Sequence, residues 1–146
     1  MKINDTKLLG VKIIEPLIIS DDRGEIVKPF IINEMQGMDC DFKQSYYAYS
    51  KRGLIRGMCY CKAAKLVYCS KGKVLDVIVD LSTKEYIVQE LSEQNHLAMY
   101  IPAGYAHGYQ CFEDSCFNYL QTEVWNPDDE KKVSPDSFGF IWPIKI

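Results

Sequence analysis

Two short segments concentrate the side chains that could do chemistry. In the first, Gly53-Leu-Ile-Arg56-Gly57-Met-Cys59-Tyr-Cys61-Lys-Ala-Ala-Lys65, two thiols stand two residues apart and a lysine follows. In the second, Tyr100-Ile-Pro102-Ala-Gly104-Tyr-Ala-His107-Gly108, a Pro-x-Gly turn leads into one of only two histidines in the chain. Alternate residues of a strand face the same way, so Cys59 and Cys61 share a face, and the turn aims His107 at the same mouth. A thiol beside a cation such as Lys65 has its pKa lowered and can act as a base. Thiolates and imidazole also suit zinc. Cys-x-Cys on a strand has a poor bite for one tetrahedral ion, however, and Lys65 repels it, so no metal site is expected. Arg56 follows an apolar run and is expected to point inward, where a guanidinium needs an anion. His96, in Glu93-Gln94-Asn95-His96, reads as a plain surface residue.

The elements that must carry these groups read as strands. Val11–Ile19, Glu25–Ile32, Lys43–Ser50, Leu54–Tyr60, Lys65–Ser70, Val74–Leu81, Ile87–Leu91, Leu97–Ile101, Ala106–Cys111 and Cys116–Glu123 are rich in Val, Ile, Tyr and Phe. Turn-forming runs separate them, among them Asp22-Arg23-Gly24, Lys51-Arg52-Gly53, Lys71-Gly72 and Pro102-Ala103-Gly104. Turns every ~8–12 residues favour a sandwich or barrel. No long stretch keeps a helical period, so helix content should be low. The polar stretch Asn126–Phe138 is expected to be a surface loop or short helix. The apolar Phe140-Ile141-Trp142-Pro143-Ile144 must bury itself on its own barrel or on a second subunit.

At 146 residues the chain suits one domain, and its 47% hydrophobic residues suffice for a core. A net charge of −3 with scattered Lys and Arg argues against nucleic acid. An anionic ligand must therefore meet a local cluster of cations. No apolar run approaches the ~20 residues of a membrane span. The N-terminus does not read as a signal peptide. A cytoplasmic location is expected, where the six cysteines, Cys40, Cys59, Cys61, Cys69, Cys111 and Cys116, stay reduced thiols.

Both chemical segments resemble the cupins. The spacing from Gly53 to Gly72 fits their first motif, with Cys59, Cys61 and Lys65 in the His, His and Glu places; Pro102, Gly104 and His107 fit the second. A longer resemblance, covering nearly the whole chain, is to the dTDP-4-dehydrorhamnose 3,5-epimerase family of nucleotide-sugar epimerases. It is carried by Asp22-Arg23-Gly24, Phe42-Lys43-Gln44-Ser45, Ser50-Lys-Arg-Gly-Leu-Ile-Arg56-Gly57-Met, Lys65-Leu-Val, Gly72-Lys-Val-Leu-Asp76-Val-Ile-Val-Asp80-Leu, Tyr119, Trp125-Asn126-Pro127 and Phe140-Ile-Trp142-Pro143.

The resemblance implies an all-β cupin or jelly-roll barrel and a reaction that needs no cofactor. A base removes a proton beside a keto group of a dTDP-4-keto-6-deoxyhexose or similar sugar nucleotide. An acid returns one on the opposite face, in cell-surface polysaccharide synthesis. Carried over by position, Cys59 stands at the base, Tyr119 is the acid, Lys65 and His107 stabilise the enolate and Asp76 orients His107. Arg23, Gln44, Arg56 and Trp125 would contact substrate, the two arginines through its phosphates. Family members dimerise by exchanging N-terminal strands, so a homodimer is implied.

The chain departs from that pattern in definite places. Cys59 replaces the usual catalytic His, the C-terminal Asp that pairs with it has no counterpart, and Trp125 replaces a Tyr. Glu123 and Asp136 are carboxylates that could take the place of that Asp. The interval from Cys59 to Lys65 is shorter than in typical epimerases and nearer to the nucleotide-sugar 3,4-ketoisomerases. Three other readings therefore stand beside an epimerase: a catalytically silent sugar-nucleotide binder, a 3,4-ketoisomerase and a small metal-dependent cupin.

Overall fold

The computed structural model describes residues 1–145. Its strands are β1 (Lys2–Asp5), β2 (Lys12–Glu15), β3 (Leu17–Asp21), β4 (Gly24–Lys28), β5 (Gln44–Ser50), β6 (Ile55–Tyr60), β7 (Lys65–Lys71), β8 (Lys73–Val79), β9 (Tyr86–Ser92), β10 (Ala98–Ile101), β11 (Ala106–Cys111), β12 (Ser115–Gln121) and β13 (Lys131–Lys132). One 3-10 turn spans Ile32–Glu34. A six-stranded sheet runs β1-β2-β10-β7-β12-β5, and a five-stranded sheet runs β13-β6-β11-β8-β9. Strands β3 and β4 form a separate hairpin. Every ladder is antiparallel, and the two larger sheets face each other as a jelly-roll barrel. Among the described residues no helix is long and apolar enough to cross a membrane.

Three differences from the expected strands have physical causes. The run Val11–Ile19 is two strands broken at Pro16, which has no N–H for a ladder. As a result β2 joins the six-stranded sheet while β3 pairs only with β4. Strand β4 ends before Pro29 for the same reason. The stretch Asn126–Phe138 is neither plain loop nor helix. Its Lys131 and Lys132 pair with Tyr60 and Cys59, closing the open edge of β6. Strand β1 was not expected either; it adds to the edge of β2.

Both large sheets are covered on both faces, which explains the near-continuous burial of β8 and β11. Between the sheets lie Val67, Cys69, Val74, Ile78, Leu91, Met99, Tyr109, Cys111 and Phe117. The outer face of the six-stranded sheet, with Ile14, Leu66 and Tyr100, is covered by Phe30, Met35, Cys40 and Phe42. The outer face of the five-stranded sheet, with Met58, Val77, Val79 and Ala106, is covered by Phe138 and Trp142. The apolar tail therefore docks on its own barrel. Gln110 fastens it, donating to the carbonyl of Ile144 at 2.7 Å and accepting from its N–H at 3.1 Å. All six cysteines are free.

Candidate active site

Strand parity decides which polar groups enter the barrel. On β8, Val74 and Ile78 face inward, so Asp76 between them does too. On β11 the inward set is His107, Tyr109 and Cys111; on β12 it is Phe117 and Tyr119; on β7 it is Lys65, Val67 and Cys69. On β6, Met58 packs outward, which turns Cys59 inward, directly opposite His107 in the ladder. One end of the interior is thus apolar and the other is a cavity of roughly 430 Å³. Arg56, Cys59, Lys65, His107 and Tyr119 all line it, together with Tyr46, Glu130 and Lys132.

A close backbone approach holds that end together. Gly57 has φ +114°, and a Cβ there would lie 2.6 Å from the His107 carbonyl oxygen and 2.7 Å from the Gly108 Cα. A Cβ on Gly108 would in turn lie 2.6 Å from the Arg56 carbonyl oxygen. Only glycine at both places lets β6 press on β11 beside Cys59 and His107. The ladder shifts register at this point, between His107 and Tyr109.

The deep groups are nearly sealed from water. Asp76 is 0%, His107 4%, Lys65 6% and Tyr119 9% exposed. His107 Nε2 bonds Asp76 Oδ1, which fixes the ring. The imidazole is boxed by Phe117, at 6.0 Å between ring centres, and Tyr119, at 6.4 Å. Among the described residues Lys65 has no carboxylate within 4 Å. A buried ammonium without a protein anion is costly, and a ligand oxyanion reaching it removes the cost. Burial first, then the neighbouring Tyr109 and Tyr46 hydroxyls, hold the Tyr119 phenol well above its ordinary pKa of 10. Tyr119 is therefore protonated at neutral pH and has a proton to give. Tyr46 stacks on it at 4.3 Å.

The wall around Cys59 is more open. Burial and then the Glu130 carboxylate push the Cys59 thiol up from 9.0; Lys65 and Lys132 pull less strongly the other way. Glu130 lines the same cavity as that thiol and disfavours its ionisation. Its Oε2 also accepts from the Trp125 indole N–H at 3.0 Å. Gln44 Oε1 accepts from the Trp125 backbone N–H at 3.0 Å, so Gln44 seats Trp125 and does not line the main cavity. Trp125 borders a small adjoining crevice with Cys61, Lys65 and Glu130.

Several positions differ from expectation. Arg56 is exposed at the rim, its Nε donating to Ser50 Oγ at 2.7 Å, because β6 carries it to the end of the barrel. Arg23 is exposed on the β3–β4 hairpin, bonded to Asp21 and away from the cavity. Neither Glu123 nor Asp136 approaches Cys59; the carboxylate beside it is Glu130, placed by the pairing of β13 with β6. His96 is not a plain surface residue. It pairs with Glu25 at 2.8 Å, beside a separate cavity of roughly 760 Å³ between the hairpin and the barrel. Tyr46, Glu130 and Lys132 were missed. The strand parity of β5 offered a signal for Tyr46; nothing local marks the other two. Among the described residues no three His, Cys, Asp or Glu side chains are grouped to hold a metal ion.

Comparison with known proteins agrees with this geometry. The family model described as dTDP-4-dehydrorhamnose 3,5-epimerase matches residues 5–145. An enzyme of that name from Methanothermobacter thermautotrophicus is 32% identical, over 97% of this chain and 83% of its own length. The dTDP-6-deoxy-D-glucose-3,5-epimerase of Legionella pneumophila, solved with dTDP-4-keto-L-rhamnose, superposes with a TM-score of 0.92 at 29% identity, covering 99% of this chain and 84% of that one. A 3'-monoepimerase from Streptomyces bikiniensis, solved with dTDP-quinovose, gives 0.91 at 27% identity, covering 98% and 80%. From residue 5 to residue 145, this chain belongs to the dTDP-4-dehydrorhamnose 3,5-epimerase family, whose members are isomerases.

Proposed function

We propose that the protein is a nucleotide-sugar epimerase that acts on a dTDP-4-keto-6-deoxyhexose or a closely similar 4-keto sugar nucleotide. One observation carries this reading: a buried Lys65 with no carboxylate within 4 Å among the described residues shares a cavity with the Asp76-bound His107 and a protonated Tyr119. Removing a proton next to the keto group puts negative charge on its oxygen. Lys65 is a fixed donor for that charge in a site nearly free of water, and His107, when protonated against Asp76, adds a second. Asp76 holds His107 in place. Tyr119 returns a proton, and the original proton leaves towards the wall that carries Cys59. If the two walls contact opposite faces of the sugar, the carbon inverts. Side chains alone supply base, acid and stabiliser.

Arg56 at the rim suits the diphosphate, and the exposed face of Trp125 suits the nucleotide base. The whole chain works as one cupin-like domain. It acts as a homodimer, in which the projecting β3–β4 hairpin, with exposed Ile18, Ile19 and Ile26, brings Arg23 to a second copy. A cytoplasmic location fits six free thiols.

The replacement of the usual catalytic His by Cys59 favours a second reading, a binder without catalysis. Proton NMR of dTDP-4-keto-6-deoxyglucose in deuterium oxide separates the two. An epimerase washes deuterium into C3 or C5; a binder leaves both protons in place while still protecting the protein thermally. A 3-keto sugar product would instead identify a ketoisomerase.

A further inference from the structure

Resting on the epimerase reading, we propose that Glu130 is the base that removes the substrate proton, with Cys59 as the neutral group that positions it and Trp125 as its clamp.

The argument starts from what a base in this cavity must be. It has to line the cavity, be ionised at neutral pH and be held still. Cys59 meets the first condition only. Burial and the adjacent carboxylate both favour its neutral thiol. A thiol that stays protonated is a donor, not a base. The carboxylate that disfavours its ionisation lines the same cavity. Carboxylates do serve as bases next to carbonyls in other enolising enzymes, when they are oriented and partly dried.

Glu130 is oriented from two sides. The indole N–H of Trp125 holds Oε2 at 3.0 Å. Trp125 is itself seated by Gln44, whose side-chain oxygen takes its backbone N–H. The Cys59 thiol lines the same cavity as the carboxylate. The segment between β12 and β13 is also tied down: Asp129 accepts from the Lys62 N–H at 2.9 Å, and the Glu130 N–H donates to the Asn126 carbonyl at 3.1 Å. Trp125 therefore holds the carboxylate directly, and Gln44 acts on it through Trp125. Lys132, paired with Cys59 across the ladder, offsets its charge.

The step balances without a co-reactant. The Glu130 carboxylate takes the proton from the carbon beside the keto group. The C–H electron pair becomes the C=C of an enolate, whose oxygen charge meets Lys65 and His107. Tyr119 O–H then gives its proton to that carbon. Glu130 releases a proton to solvent and the tyrosinate regains one, which resets the site.

The test compares wild type, Glu130→Gln and Cys59→Ser for deuterium wash-in at C3 and C5 of dTDP-4-keto-6-deoxyglucose, across pH 6.5–8.5. A carboxylate base gives a nearly level profile. A thiol with a raised pKa gives a rate that climbs about tenfold per pH unit. The expected result is a level wild-type profile, a loss of about 10³-fold or more in Glu130→Gln, and a loss under about tenfold in Cys59→Ser. Iodoacetamide should also alkylate Cys59 several-fold faster in Glu130→Gln at pH 8, a readout that needs no activity. Wash-in that survives Glu130→Gln but vanishes in Cys59→Ser overturns the assignment and leaves the epimerase reading intact. Absence of wash-in by the wild type overturns the epimerase reading and this base together.

Discussion

The two walls of the cavity are built in opposite ways. The deep wall puts Lys65, Asp76, His107 and Tyr119 on the middle or inner ends of long strands, each bracketed by core residues. The outer wall puts Cys59, Glu130 and Lys132 where a two-residue strand meets the edge of β6. The deep wall carries the groups proposed as enolate stabilisers and acid. The outer wall carries a thiol, a carboxylate and a lysine. Groups locked between two sheets change only at the cost of the core, whereas groups at a sheet edge can be exchanged and their role taken over by a neighbour.

Apart from Glu130→Gln, the largest effect should come from the deep wall. Lys65→Met keeps the apolar stem and deletes the charge; wash-in should fall about 10²–10³-fold with the melting temperature held or raised. A fall of less than tenfold would mean that charge is stabilised elsewhere. Next is Tyr119→Phe, which should cut formation of inverted product about 10²-fold or more while wash-in from the outer wall continues. Equal loss of both would mean that the two walls do not act as separate acid and base.

The outer wall should yield smaller effects. Trp125→Phe keeps the ring but not the N–H that holds Glu130. About tenfold slower wash-in is expected, with KM nearly unchanged if the indole acts mainly through the carboxylate. A large rise in KM alone would instead make Trp125 a substrate contact. The smallest effect should be that of Arg23→Ala on thermal stability, with the melting temperature nearly unchanged, since its bond to Asp21 is open to solvent. If the homodimer forms as proposed, the same variant should weaken substrate binding without changing the mass measured by light scattering.

The same contrast governs what could be read from the sequence. Strand parity at Lys65, Asp76, His107 and Tyr119 is local, yet only His107 was aimed at the mouth by its spacing; Lys65, Asp76 and Tyr119 were named through the family resemblance. Pro16 could have been read as a break in the Val11–Ile19 run, yet the apolar character on either side concealed it. Glu130 could not be found that way. It stands among Asp128, Asp129 and Lys131 in a polar stretch with no period, and only the distant pairing of Lys132 with Cys59 carries it to the cavity. The carboxylates named in advance, Glu123 and Asp136, stand in the same part of the chain, but neither is carried to the cavity by a pairing at the sheet edge. Arg56 was expected to point inward and stands exposed at the rim, because an apolar strand predicts direction better than depth.

The glycine contact between β6 and β11 bears on how such a site can drift. Gly57 and Gly108 meet backbone to backbone, and a methyl group on either would force the strands apart. The joint therefore depends on the absence of side chains and is indifferent to what stands two residues further on. Position 59 points into open space from an anchored strand, so imidazole and thiol can be traded there without disturbing the barrel's closure. A substitution at that position should therefore leave intact the glycine joint that presses β6 on β11.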